Sequence, residues 1–200
     1  MSYHLASDKR PPGRYRVQVQ PYHGVGDTVR YMKQLAVSGQ AHPVVRRAAI
    51  AAIRQVYPKD YTSELAAIYY DTCRSIRYTR DPAGREMLQH PAVTVQERAG
   101  DCDDHGILLN ALIRAARTGH PVDNVRALTG FGARALAVGN DLQFVIAGFE
   151  KNAPMPRRYT HVFLRVYDNN TGRWLVLDPV AGPNTGSMID RVKVYRGYWA

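Results

Sequence analysis

Cys102 precedes an apolar helical pattern that opens at Asp101, so the sequence predicts a thiol at a helix N-terminus. Unpaired N–H groups and the positive end of the helix dipole favour a thiolate there. The same N–H groups can receive the oxyanion of a tetrahedral intermediate. A thiol nucleophile also needs a base, and the base needs an orienting group. Two histidines compete for that role. His105 lies three residues after Cys102, on the same helix face. His161 opens a strand-like run, His161–Tyr167, and Asp178 closes the next, Trp174–Leu177. A two-residue turn centred on Asn169-Asn170 sets His161 directly across from Asp178, with Cβ atoms roughly 4.5–5.5 Å apart. An odd-length loop without a bulge puts them on opposite faces. On the residues alone both histidines stay open.

Other residues near these have structural readings. Cys73 falls in an apolar helical stripe and reads as core. Asp101, Asp103 and Asp104 read first as helix caps that complement the dipole. Their charge works against a thiolate. If Asp103 and Asp104 point outward they can attract a cationic group such as a lysine amine. Cys102, Asp104 and His105 are metal-ligand types, but adjacent helical residues diverge by about 100° and no second cluster completes four ligands. No metal and no cofactor is expected. Two cysteines also exclude a disulfide scaffold and a four-cysteine zinc site. Gly24-Val25-Gly26 and Gly130-Phe131-Gly132 lack the rest of a phosphate-binding fingerprint and read as turns.

The elements that must position these residues divide into two halves. Residues 1–24 hold three prolines and the alternating run Tyr15–Val19, which predicts an extended arm with one edge strand. Asp27-Thr28 can cap a helix through Ser38 that stops at Gly39. Pro43 suits the first turn of a second helix, with Val44, Val45, Ala48, Ala49, Ala52, Ile53 and Val56 at helical spacing. Thr62 or Ser63 can cap a third, with Leu65, Ile68, Tyr69, Thr72, Cys73 and Ile76 as its stripe and Asp81-Pro82 as its end. Residues 82–100 read as an ordered loop. The Cys102 helix buries Ile107, Leu108, Ala111, Leu112 and Ala115 and stops at Gly119. Strands follow at Val125–Thr129, Leu142–Ile146, His161–Tyr167, Trp174–Leu177 and Met188–Tyr195. Helices first and strands second is an α+β pattern, a helical N-terminal half packed on an antiparallel sheet. The domain reading is an arm over 1–24 and a single domain over 25–200. Residues 130–158 are a candidate lid.

Length and charge bound the rest. Two hundred residues, 45% hydrophobic and 22% charged, suit one globular domain. No apolar stretch reaches membrane-span length, and the start of the chain carries no apolar signal region. The net charge is +10, and arginine supplies 22 of the 27 basic residues. These arginines are scattered between apolar segments, so they read as solvated surface with at most a weak, salt-sensitive affinity for nucleic acid.

Three segments together make the sequence recognisable. Gly100-Asp101-Cys102-Asp103-Asp104-His105, then Thr160-His161-Val162-Phe163, then Leu177-Asp178-Pro179 resemble the transglutaminase-like superfamily. The lead-in Ile76-Arg77-Tyr78-Thr79-Arg80-Asp81-Pro82 and Pro91-Ala92-Val93-Thr94 resembles the segment that family places before its cysteine. The resemblance covers about residues 43–180. It implies a papain-like fold and a triad of Cys102 as nucleophile, His161 as base and Asp178 as orienter. His161 thereby leads over His105. It also implies acyl transfer on a protein or peptide substrate, with hydrolysis favoured slightly over crosslinking. Gln96, six residues before Cys102, matches the spacing of a papain-like oxyanion donor, although many members of this superfamily use an aromatic side chain instead. Trp174 shares the face of the proposed His–Asp pair, where it reads as packing or as a substrate contact. Compact basic members with this lead-in look like phage and prophage proteins. An alternative is therefore a structural or assembly protein of a phage particle, docking through the arm and the tail Tyr195-Arg196-Gly197-Tyr198-Trp199. The expected location is the cytoplasm, or a virion for a phage protein.

Overall fold

The computed structural model describes residues 16–19, 24–58, 60–118, 142–148, 161–168, 172–182 and 194–199. Within them the chain runs β1 (Arg16–Val19), α1 (Val25–Gln40), α2 (Pro43–Ile53), α3 (Tyr61–Ser75), β2 (Arg77–Tyr78), β3 (Glu86–Gln89), α4 (Pro91–Glu97), β4 (Ala99–Gly100) and α5 (Cys102–Thr118). The second half supplies β5 (Leu142–Gly148), β6 (His161–Asp168), β7 (Arg173–Leu177) and β8 (Val194–Trp199). These four form an antiparallel sheet in the order β7-β6-β5-β8. The fold is α+β, with the helices on one side of that sheet, as the order of elements in the sequence implies.

Helix α5 is the axis of the molecule. It packs against α1, α2, α3, α4 and β6. The sequence pattern gives it one buried side. The structure also buries Leu109, Ile113 and Ala116, because helices surround one flank and the sheet covers the other. Of the polar residues in its buried stretch, Arg114 and Asn110 satisfy each other in part: Arg114 Nε donates to Asn110 Oδ1 at 2.7 Å.

Several helix boundaries move for identifiable reasons. Helix α1 begins at Val25, with Gly24 as its cap and Asp27 inside the first turn. Gly39 is not a stop; it lies inside α1, and a Cβ there would stand 2.5 Å from Pro91 Cγ. Its lack of a side chain allows α4 to lie against α1. Helix α3 is capped by Asp60, whose Oδ1 accepts from Ser63 N at 3.2 Å, and not by Thr62 or Ser63. It ends at Ser75, before Asp81-Pro82, because Arg77–Tyr78 leaves to pair in parallel with Ala99–Gly100.

The stretch 82–100 is not a loop. It holds β3, which pairs antiparallel with β1, and the short helix α4. A shared device starts α2 and α4. His42 and His90 each precede a proline at the first helical position, and each Nδ1 accepts a backbone N–H two residues on, Val44 at 3.3 Å and Ala92 at 3.2 Å. Histidine takes the place of the usual Ser or Asp cap. The two rings meet edge to face, centroids 5.6 Å apart.

The pairing of β1 with β3 makes Arg16–Val19 part of the fold. The tail is strand β8, paired along β5 at the edge of the sheet. The expected strand Met188–Tyr195 appears instead as Val194–Trp199; residues 188–193 lie outside the described residues, as do Gly119, Val125–Thr129 and Gly130-Phe131-Gly132. Within the candidate lid 130–158, Leu142–Gly148 is β5, an interior strand, so that part of it is core. No helix among the described residues is long and apolar enough to cross a membrane.

Candidate functional site

Cys102 stands at the first position of α5, facing the start of β6. Asp101 caps the helix: its Oδ1 accepts from Asp103 N at 3.0 Å and Asp104 N at 3.2 Å, and its carbonyl accepts from His105 N at 3.0 Å. Those three amides are therefore engaged and do not receive an oxyanion, contrary to the expectation for a helix tip. The Cys102 amide is the first-turn N–H that these bonds leave in place beside the sulfur. The thiol also departs from expectation. Burial, then the carboxylates of Asp103 and Asp101, push it well above its ordinary pKa. Asp103 Oδ1 lies 3.8 Å from Sγ. The helix dipole is a fraction of a charge, so desolvation, with the neighbouring acidic groups adding to it, overrides it. The backbone N–H of Val162 acts in the opposite direction, pointing to the sulfur and favouring its charged form. That contact places Cys102 against the residue next to His161.

His161 and Asp178 meet directly, but by a different register from the one expected. Leu164 pairs with Leu177, Tyr167 with Trp174 and Asp168 with Arg173. Gly172 N donates to Asp168 O at 2.8 Å where the hairpin closes. Gly172 has a φ of 67°, a left-handed value suited to glycine. The shift is two residues. It keeps His161 and Asp178 on one face but makes them diagonal neighbours, a spacing that long side chains bridge. His161 Nε2 lies 2.6 Å from Asp178 Oδ2, with both side chains buried. Nε2 on the carboxylate fixes the orientation of the imidazole ring.

Asp178 is held by its own turn. Its Oδ1 accepts from Val180 N at 3.1 Å and Ala181 N at 3.3 Å, and its carbonyl accepts from Ala181 N at 3.1 Å. Pro179 fits the second position of this turn, where φ is pre-set. The Leu-Asp-Pro motif is therefore a carboxylate with a built-in brace. From the helical side, the Tyr69 hydroxyl reaches the carbonyls of Asp178, at 3.0 Å, and Gly182.

His105 does not compete for the base role. Its ring is buried, with Nδ1 2.6 Å from Asp101 O and Nε2 3.4 Å from Ile76 O. Asp104 does not point outward toward a substrate. Its Oδ1 accepts from Gln89 N and its Oδ2 from Gln89 Nε2, both at 2.7 Å, which ties β3 to α5. With His105 on carbonyls and Asp104 on Gln89, the Cys102, Asp104 and His105 ligand set is not assembled. Gln96 is exposed on the last turn of α4. Trp174 lies toward the turn end of the hairpin, about 13 Å along the strand from Asp178. It packs against Tyr167 and lies under the Arg165 guanidinium, whose Cζ is 4.6 Å from its ring, so it is packing and not a site residue. Cys73 is half-buried against the core, as its stripe predicts.

The nucleophile's surroundings are crowded with acid. Ligand oxygens of Asp81, Glu86 and Asp101 lie within 4.8 Å of one another, a donor set of the hard, oxygen-only kind that suits calcium or magnesium. Burial and mutual repulsion raise Asp101 and Asp103 well above the usual carboxylate range and push Asp104 up to about 8.

The family model of the transglutaminase-like superfamily matches residues 49–179. The chain belongs to the transglutaminase-like superfamily. Two similar solved structures are Legionella pneumophila LapG with calcium bound and LapG treated with EGTA. The first is 18% identical with a TM-score of 0.48, covering 82% of this chain and 80% of LapG. The second is 17% identical with a TM-score of 0.46, covering 81% and 78%. A candidate cysteine protease from Cytophaga hutchinsonii is 15% identical with a TM-score of 0.46, covering 91% of this chain and 58% of that one. No curated protein matches.

Within this transglutaminase-like frame, three residues of the site escape pattern reading. Tyr69 looks like any core position of α3. Gln89 falls in what reads as loop. Tyr78, within the lead-in motif, sits near enough for Cys102 to raise its pKa. The His90-Pro91 step is the one signal that could have revealed α4 and, with it, the order of the segment leading to Cys102.

Proposed function

We propose that the protein is a thiol-dependent acyl-transfer enzyme acting on peptide or amide bonds, with Cys102 as nucleophile, His161 as base and Asp178 as orienter. The observation that carries this reading is the buried His161–Asp178 pair at 2.6 Å, with the next residue's N–H on the Cys102 sulfur. Because the thiol is held protonated, its proton leaves as the carbon–sulfur bond forms, and His161 Nδ1 takes it. The carbonyl oxygen becomes an oxyanion beside the Cys102 amide. His161 then gives the proton to the leaving amine as the carbon–nitrogen bond breaks, which leaves a thioester on Cys102 and a neutral imidazole. Water attacks the thioester with His161 again as base, and the acid and free thiol are released. An amine in place of water gives a crosslink by the same steps. Hydrolysis is the preferred outcome, since water needs no acceptor channel.

The test is exposure of a defined proteome digest to the protein and to Cys102→Ala. New peptide N-termini or isopeptide links that need Cys102 are expected. A wild-type digest indistinguishable from the Cys102→Ala digest would sink the reading.

A further inference from the structure

The triad's acid is held by more than its own turn. Helix α3 lies behind the β6–β7 hairpin and touches it at two points, seven residues and two helical turns apart, on one helix face. Thr62 Oγ1 donates to Asp168 Oδ2 at 2.9 Å, at the turn end of the hairpin. Tyr69 Oη reaches the main-chain carbonyls of Asp178 and Gly182, at the site end, and its one proton is shared between them. Both carbonyls belong to the turn whose amides hold Asp178 Oδ1. We propose that Tyr69 is a positioning residue for acyl transfer: its hydroxyl clamps the 178–182 turn and so keeps Asp178 Oδ2 on His161 Nε2.

A phenol in this place needs a reason. Its neighbours on the buried stripe of α3 are Leu65, Ile68 and Thr72, and Tyr69 itself is 1% exposed. Thr72 satisfies its own hydroxyl on Ile68 O at 2.8 Å, so it takes nothing from the hairpin. Phenylalanine would fill the same volume without a polar atom to satisfy. The Cys73 thiol meets the hydroxyl from its own helix, but the two carbonyl partners lie across the domain and bracket a single turn. Burial raises the phenol above its ordinary pKa, so it remains a neutral donor wherever the enzyme works. Gly182 has a φ of 98°, the left-handed conformation that brings its carbonyl back toward Tyr69. The clamp acts on orientation. Without it, the Val180 and Ala181 amides still find Asp178, but the turn is no longer fixed to the helical half that carries Cys102.

This inference rests on the proposed triad, and its test separates the two. The full-length protein is assayed for turnover of p-nitrophenyl acetate, with kcat and KM resolved. Tyr69→Phe should lower kcat about tenfold with KM unchanged, and it should have no further effect in an Asp178→Ala background. Thr62→Val removes the other tie of α3 and should lower Tm while leaving kcat alone. If Asp178→Ala itself turns over like wild type, the triad reading fails. If Asp178→Ala is impaired but Tyr69→Phe keeps wild-type kcat, or multiplies its loss onto Asp178→Ala, the clamp is overturned and the triad stands. Should Tyr69→Phe not fold, Gly182→Ala disturbs the same clamp at its far carbonyl, with nothing within 4 Å of the added methyl. It should reproduce the kcat loss; an unchanged kcat there overturns the proposal.

Discussion

The two halves of the molecule bring opposite electrostatics to the site. The helical half delivers Cys102 on a buried tip packed with acidic groups, and burial first, then Asp103 and Asp101, hold its thiol protonated. The sheet half delivers His161 against a single carboxylate that its own turn and Tyr69 brace. A papain-like arrangement is often pictured as a thiolate waiting beside an imidazolium. Here the helix tip opposes the first member of that pair. On the proposed mechanism, the reactive charge is created during attack, by transfer to His161, rather than stored at the helix N-terminus. Proton transfer in the transition state is what a positioned general base supplies, typically ~100- to 10,000-fold in rate.

The strongest way to break this contrast is at the sheet half. Asp178→Ala should lower acylation of Cys102 by about 100-fold or more, measured as the nitrophenolate burst from p-nitrophenyl acetate. A burst of wild-type rate would mean that the carboxylate only stabilises the fold.

At the helical half the larger effects fall on stability. Asp104→Ala leaves the Gln89 amide and side chain without their buried acceptor, at a cost of about 2–4 kcal/mol in chemical denaturation. Asp104→Asn, which keeps an acceptor of the same shape, should cost far less. The sign of the pH dependence separates the acid cluster from the histidine caps. Asp104 titrates at about 8 in the native state against an ordinary 3.8, so the native protein retains a proton that the unfolded chain has released. Stability therefore falls as pH rises from about 4 to about 8. His90 is pushed down to about 4 from 6.5, chiefly by burial and then by His42. The unfolded chain takes up that proton first, so stability also falls as pH drops from about 6.5 to about 4, by as much as roughly 3 kcal/mol. Between about pH 4 and 6.5 the two contributions oppose each other, so His90→Asn, which preserves a cap acceptor, should leave stability falling with pH there, whereas Asp104→Asn should reduce the fall above about pH 6.5 that Asp104 shares with Asp101 and Asp103. The same change of slope in both variants would contradict the assignment.

The smallest effect sharpens the contrast most. Asp103→Asn replaces the carboxyl 3.8 Å from Sγ, which burial and its acidic neighbours hold protonated. The rate of Cys102 alkylation by iodoacetamide at neutral pH should therefore change little, with Cys73 as the internal control. A rise of several-fold would show that Asp103 is ionised beside the thiol.

Sequence reading reached the sheet half more completely than the helical tip. Alternation along His161–Tyr167 marks the faces, because one side of a strand is wholly core: Val162, Leu164 and Val166 join the main cluster, while Phe163 falls in a small one with Val145 and Val176. The same parity kept His161 and Asp178 on one face despite a register shifted by two residues. Turn length is set by local backbone geometry at Gly172, which no periodicity encodes. At the helix tip the residue types were visible but their directions were not. Asp101 caps as expected, whereas Asp104 turns inward because Gly100 leaves room for it; a Cβ on Gly100 would lie 2.5 Å from the Asp104 Cβ. Helix α4 was missed because seven residues are too few to show a period, and its cap is a histidine. Gln96 was placed by spacing alone, and that helix carries it to the surface.

The most direct test of the account is the rate and site of acylation by p-nitrophenyl acetate in wild type and His161→Ala, with the labelled peptide identified by mass spectrometry and the wild-type burst repeated in deuterium oxide. The account predicts acetyl label on Cys102, a loss of at least about 100-fold in His161→Ala, and a normal solvent deuterium effect from the proton in flight. Label on Cys102 at equal rates in both proteins would contradict it, because the thiol would then react without the base that the sheet half holds in place.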